Sequence, residues 1–166
     1  HRSSIIDFLG LACGEIKLAF RSMSIPLIQL LFDLGLLVLI WLVQIVIYPS
    51  FLFYERENLK RWHEKYTQQI TYVVLPLMVG QLIITTIHLF NNFSTFTLVS
   101  FLVVISLWTM TFLIFVPLHR KISMDEINPS VLYRLIRLNW IRTLLWSELF
   151  VSSLLYYLIH YSVKVT

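Results

Sequence analysis

Cysteine is nearly absent: Cys13 stands alone, so no internal disulfide can staple the chain and no redox compartment can be read from its thiols. Charge is also scarce, at 13% of residues with a formal net charge of only +4. No basic patch interleaved with aromatics lies outside the apolar stretches, which argues against nucleic-acid binding. No internal repeat is visible, which weighs against an inverted-repeat transporter. The histidines form no H-E-x-x-H pair and no serine sits in a nucleophile elbow, so no specific enzyme signature stands out.

Long apolar runs fill the chain instead. Hydrophobic residues make up 58% of it, and the mean hydropathy of +0.78 lies far outside the soluble globular range. The runs cover about residues 24–48, 62–90, 95–118 and 131–161. About 20 apolar residues cross the hydrocarbon core as a helix, and only helices or closed barrels satisfy a backbone in lipid. The expected architecture is all-α and integral to the membrane: an antiparallel four-helix transmembrane bundle over residues 24–166. Short loops leave no room for a second, soluble domain. Residues 1–23 are apolar in part but are broken by Asp7, Gly10, Gly14, Glu15 and Lys17. No clear signal-peptide pattern is present there, and an N-terminal interfacial amphipathic helix is expected.

Orientation follows from basic residues. Arg56, Lys60 and Arg61 occupy the loop 49–61, with Lys65 just beyond, and Arg120 and Lys121 occupy the loop 119–130. The bias of lysine and arginine places both loops in the cytoplasm, although Arg2, Lys17 and Arg21 argue the other way. Asn128 and Pro129 make an N-cap and first-turn pair for the fourth helix. Pro49 is expected to end the first helix, Pro117 lies near the end of the third, and Pro76 falls inside the second with Gly80 one turn later.

Function has to be read from residues that lipid penalises. At about 100° per residue, His63, Gln81 and His88 fall on one face of the second helix with Tyr66 nearby. Asn139, Arg142, Trp146, Ser153, Tyr157 and His160 share a stripe of the fourth. Gln29, Asp33 and Gln44 line up on the first, and Tyr48 is not far round. Buried polar groups need partners, so the three stripes should turn inward. Depth sorts them into a basic-loop layer, holding Gln44, Tyr48, His63, Tyr66, His119, Asn139 and Arg142, and an opposite layer, holding Asp33, Gln81, His88 and His160. Glu148 lies near the middle.

Each residue carries a plain reading as well as a functional one. Gln29, Gln44, Gln81 and Ser153 are the kind of side chain that glues membrane helices together. His63 and His119 lie near helix ends, where headgroups could solvate them. Arg142 lies several turns into its span, and an intramembrane charge is a functional-site hypothesis by default. Asp33 and Glu148 are buried acids of unexplained role; burial favours a neutral carboxyl, which could donate a hydrogen bond. Glu148 points away from its helix's inward stripe, which hints at a contact with another protomer. Two histidines on facing helices could also bind haem, His63 with His119 forming the better pair and His88 with His160 the weaker.

Three short motifs point further. Ile47-Tyr48-Pro49, Val116-Pro117-Leu118-His119 and Asn139-Trp140-Ile141-Arg142-Thr143, together with Trp62-His63, resemble a family of small uncharacterised four-span bacterial membrane proteins. More distantly, V-P-L and N-x-x-R-T resemble the anthrone-oxygenase-like membrane family, over about residues 40–147. The first resemblance implies a bacterial inner-membrane location and a joint role for Tyr48, His63, His119, Asn139 and Arg142. The second implies an oxidoreductase that converts polycyclic anthrones to quinones without an evident cofactor. That family tends to have asparagine after V-P-L, where this chain has His119.

The leading expectation is a membrane-embedded site for a lipophilic aromatic or quinone-like compound. Arg142 and Asn139 would hold its oxygen, His63 or His119 would move a proton, and Tyr48, Tyr66 and Trp146 would complete the wall. The alternatives are a non-catalytic subunit or assembly factor, docking to a homo-oligomer or larger membrane complex through the Glu148 face, and a haem-binding bundle.

Overall fold

The computed structural model describes residues 24–124 and 128–161. The expected interfacial helix in residues 1–23 lies outside the described residues. Four helical rods account for the described chain: α1 (Ile25–Phe53), α2 (Arg56–Asn91), α3 (Thr95–Ser123) and α4 (Pro129–Tyr161).

Local signals set the rod ends. Pro26 occupies the first turn of α1, where its missing N–H costs nothing. Ser94 caps α3 through a reciprocal pair of bonds with Thr97. Asn128 Oδ1 accepts the Ser130 N–H at 3.2 Å, and Pro129 opens α4 as its first-turn proline. Pro49 does not end the first helix. The chain passes through it by a local change of helical pitch and stays helical to Phe53, so most of the expected loop 49–61 is helix. The expected loop 119–130 likewise begins inside α3, which runs on to Ser123. Rods of 29–36 residues joined by such short turns have to run antiparallel.

α1 packs most extensively against α4 and next against α2, and α3 closes the bundle against α2 and α4. Leu36, Ile40, Val43, Val104, Leu107, Leu135, Trp146 and Leu149 form the shared core. The outer surface is apolar: Val38, Ile45, Leu113 and Leu144 are each 60–72% exposed. Asp33, His63, Gln81 and Asn139 meanwhile are at most 1% exposed. This inversion of the soluble pattern suits a lipid surround. By length and composition, α1, α2 and α3 are able to cross a membrane. In α4 the apolar run is interrupted by charge: Arg142 lies buried on its inward face, and Glu148 is exposed on another.

Candidate functional site

Two prolines shape the site. A proline in a helix lacks the N–H donor, and its ring crowds the carbonyl four residues back. In both α1 and α3 the helix accommodates this with one π turn, Val43–Ile47 ahead of Pro49 and Thr111–Phe115 ahead of Pro117. The Tyr48 N–H reaches the Val43 carbonyl, and the Val116 N–H reaches that of Thr111, five residues back rather than four. One inserted residue turns everything beyond it by about 100° relative to a regular helix. Tyr48 directly follows the first π turn and His119 lies within one turn of the second.

Both side chains therefore meet His63 from α2. The Tyr48 hydroxyl is 3.0 Å from His119 Nε2, and His119 Nδ1 is 2.8 Å from His63 Nε2. His63 Nδ1 lies 3.2 Å from the Ser123 hydroxyl, which also donates to the His119 carbonyl at 3.2 Å. The imidazoles are nearly parallel, 27° apart with centroids 5.0 Å from each other. Phe51 packs its ring against Tyr48, His63 and Tyr66. All four imidazole nitrogens are thus engaged. An iron held about 2 Å from each of two facing nitrogens needs them about 4 Å apart, so the His63–His119 pair as arranged does not fit haem.

A cavity of about 310 Å³ opens beside this chain, walled mainly by apolar side chains of α1, α2 and α3. Tyr48, Tyr66, His119, Arg142 and Trp146 all line it. Its lining also includes Thr71 and Leu75 from α2 and Phe112 and Val116 from α3. These four are exposed, so the cavity opens sideways between α2 and α3.

Arg142 is the charged member of the wall, only 7% exposed. Its guanidinium lies over the Phe115 ring at 4.2 Å and the Trp146 ring at 5.0 Å, contacts that favour a desolvated cation. It donates to Asn139 Oδ1 at 3.4 Å; the Asn139 amide in turn donates to Gln44 Oε1 at 2.9 Å. Among the described residues no carboxylate pairs with it, and its Nε has no hydrogen-bond partner. The Trp108 indole N–H, on the same cavity, is also buried without a partner. Both nitrogens are enclosed by protein, on side chains that line one mostly apolar cavity, and a buried donor left without an acceptor is costly.

A second network occupies the opposite half. The Gln81 amide donates to Asp33 Oδ1 at 2.6 Å, and the Ser153 hydroxyl donates to Asp33 Oδ2 at 2.5 Å. Gln29 bridges Ser153, at 3.4 Å, to His88 Nδ1, at 2.6 Å. The Trp146 indole donates to Gln81 Oε1 at 3.3 Å, so Trp146 joins this network to the cavity wall. With both oxygens accepting, Asp33 is a hub for donors from α2 and α4, as a carboxylate is equipped to be.

The expected site residues divide accordingly. Tyr48, Tyr66, His63, His119, Asn139, Arg142 and Trp146 come together in the basic-loop half, and Asp33 is fully buried in the other. Glu148 is not a buried acid: it is exposed and accepts from Ser152 on its own helix at 2.6 Å. His160 is not inward either; it is exposed, and it and His88 each pack on the Tyr156 ring. Trp108 and Ser123 escaped the sequence reading. Ser123 lies four residues past His119, a spacing that only counts once the helix is known to continue there.

Fold and site together define an all-helical bundle with a laterally open, largely apolar internal cavity that holds one buried cation. The chain matches no family model, no curated protein and no solved structure.

Proposed function

We propose that this is a four-span membrane protein whose cavity binds a lipophilic aromatic molecule bearing a carbonyl or phenolic oxygen. One observation carries the reading: Arg142, a buried cation without a carboxylate partner among the described residues, lines an otherwise mostly apolar cavity together with Trp108, and each of the two side chains has a buried N–H without a protein acceptor. The cavity volume, about 310 Å³, sits at the lower end of ligand pockets and suits a small fused-ring compound. Entry is sideways from lipid, between α2 and α3. The fourth span is α4, whose polar stripe is turned inward against its neighbours. The end bearing Arg56, Lys60, Arg61, Arg120 and Lys121 faces the cytoplasm by the positive-inside bias.

The chemistry that this wall supports is proton removal from a ligand whose oxygen is held by Arg142, with Tyr48 and His119 as the first acceptors. Deprotonation makes such a ligand electron-rich. With dioxygen as oxidant, an activated methylene R2CH2 then gives R2C=O and one water, the reaction class implied by the anthrone-oxygenase-like resemblance.

Tryptophan fluorescence tests the binding directly, because Trp108 and Trp146 line the cavity. Titration with 1,8-dihydroxyanthraquinone should quench the purified protein saturably. Arg142→Leu should weaken binding about 10- to 100-fold, the worth of one charge-assisted hydrogen bond of about 1.5–3 kcal/mol. Equal affinity in wild type and Arg142→Leu would make the arginine structural. Co-purification with a stable larger complex, without probe binding, would favour the docking alternative.

A further inference from the structure

We infer that Tyr48, His119, His63 and Ser123 form a proton wire that links the cavity to the basic-loop end of the bundle. The inference deepens the ligand-site reading, since it supplies the route for the ligand's proton. It stands on continuity: three consecutive contacts of 3.0, 2.8 and 3.2 Å join a hydroxyl on the cavity wall to a half-buried hydroxyl at the end of α3.

Hydrogen-bond logic restricts the wire to two states. Neutral imidazole has one donor and one acceptor nitrogen. If His119 carries its proton on Nδ1, it donates to His63 Nε2. His63 is then protonated on Nδ1 and donates to Ser123, Ser123 donates to the His119 carbonyl, and Tyr48 donates to His119 Nε2. In the second state every donor reverses: Ser123 donates to His63 Nδ1, His63 Nε2 donates to His119 Nδ1, and His119 Nε2 donates to the Tyr48 oxygen. The Tyr48 hydrogen is then free to point toward a ligand. Mixed tautomers place two hydrogens, or two lone pairs, against each other across 2.8 Å. Both rings therefore switch together.

Export of one proton converts the first state into the second. The ligand O–H gives its proton to the Tyr48 oxygen, Tyr48 gives its own to His119 Nε2, and His119 passes the Nδ1 proton to His63 Nε2. His63 passes its Nδ1 proton to Ser123, and Ser123 releases one to water. Each group takes one proton and gives one, no electrons move, and uptake of a proton in the reverse direction resets the wire. Two groups face this path without belonging to it: Arg142 from α4 and Tyr66 from α2, both on the cavity wall. Arg120 and Lys121 are exposed beside Ser123 in sequence. The Asp33 network does not extend the wire, because its link to the cavity is the Trp146 indole, which has a donor and no acceptor.

Two measurements on the full chain in micelles decide the matter. In the first, 1,8-dihydroxyanthraquinone is bound and a stopped-flow pH jump is followed by the colour of its ionising phenol. His63→Ala should slow the colour change at least tenfold while the probe is still retained, since His63 does not line the cavity, and free imidazole should restore the rate. Unchanged rates with bound probe would overturn the wire. If His63→Ala fails to fold, Ser123→Ala cuts the same path at its half-buried end. Failure of the wild type to bind the probe would sink the ligand-site reading alone. The second measurement, nitrogen-15 NMR of the histidine rings, needs no ligand: the wire requires His63 and His119 to share one tautomeric sense, both Nδ1–H or both Nε2–H. One ring fixed as Nδ1–H beside the other fixed as Nε2–H would overturn it.

Discussion

Asp33→Ala tests how the two halves of the bundle depend on each other. Asp33 is 0% exposed, and its oxygens receive Gln81 from α2 and Ser153 from α4, at 2.6 and 2.5 Å. Hydrogen bonds between membrane helices average about 0.6 kcal/mol and reach about 1.7, whereas bonds to a charged partner in soluble proteins run to about 1.5–3. Removing both acceptors should cost about 1–3 kcal/mol in an SDS-titration unfolding assay followed by tryptophan fluorescence. Asp33→Asn keeps the volume and one acceptor, so it should cost about half as much. The effect should also reach the ligand. Without Asp33 the Gln81 amide loses its anchor, and Gln81 Oε1 is what holds the Trp146 indole, 5.0 Å from the Arg142 guanidinium. Anthraquinone affinity should therefore fall about threefold to tenfold in Asp33→Ala. A double-mutant cycle with Gln81→Ala should return a coupling of at least about 0.5 kcal/mol. An Asp33→Ala protein within about 0.5 kcal/mol of wild type would refute the hub.

Two further substitutions probe separate contacts. Trp108→Phe should lower anthraquinone affinity about fivefold with little change in stability, because the indole N–H it removes has no protein partner; unchanged affinity would mean that this donor does not meet the ligand. Gly80→Ala places a Cβ 2.2 and 2.4 Å from two atoms of the Phe32 ring, next to Asp33 and Gln81 in sequence, so the ring has to shift by more than about 1 Å. The expected result in the same unfolding assay is a net loss of about 1 kcal/mol after the helix-propensity gain of alanine, and a gain in stability would show that Phe32 swings aside freely.

The helices were legible in the sequence because their signal is compositional: a lipid-crossing rod needs a sustained apolar stretch, and α1, α2 and α3 each contain one. The inward faces were legible too, since side chains that lipid rejects recur at helical spacing, and His63, Gln81 and His88 are all buried as their shared face requires. Glu148 shows where that logic fails. An acid within an apolar run looks buried in one dimension, yet its angular position already set it apart, and a serine one turn away satisfies it. His160 fails for a related reason, because a stripe counted at constant pitch says nothing about where the neighbouring helices end. The π turns were the least legible feature. Pro49 and Pro117 announce a disturbance, but whether a helix stops, kinks or gains a residue depends on packing around the carbonyl that the proline abandons.

That extra residue is what makes the site. A regular helix through either proline would carry Tyr48 or His119 about 100° away from its present bearing, and the imidazole of one rod would no longer meet the phenol of the other. The two prolines thus do for α1 and α3 what Asn139 and Gln44 do for Arg142: they fix the direction of a polar group that has few alternatives in an apolar surround. The consequence is a division of labour by direction. The cavity opens sideways between α2 and α3, the entry proposed for an apolar ligand, while the reversible chain of donors and acceptors proposed as the wire leads from Tyr48 to Ser123, at the basic end. On the far side the Trp146 indole can give a hydrogen bond to Gln81 but not receive one, so the wire does not continue through it. On the proposed function, ligand and proton would reach the same oxygen by different routes, and α4, which supplies Arg142, also supplies the indole at which the hydrogen-bond path toward Asp33 stops.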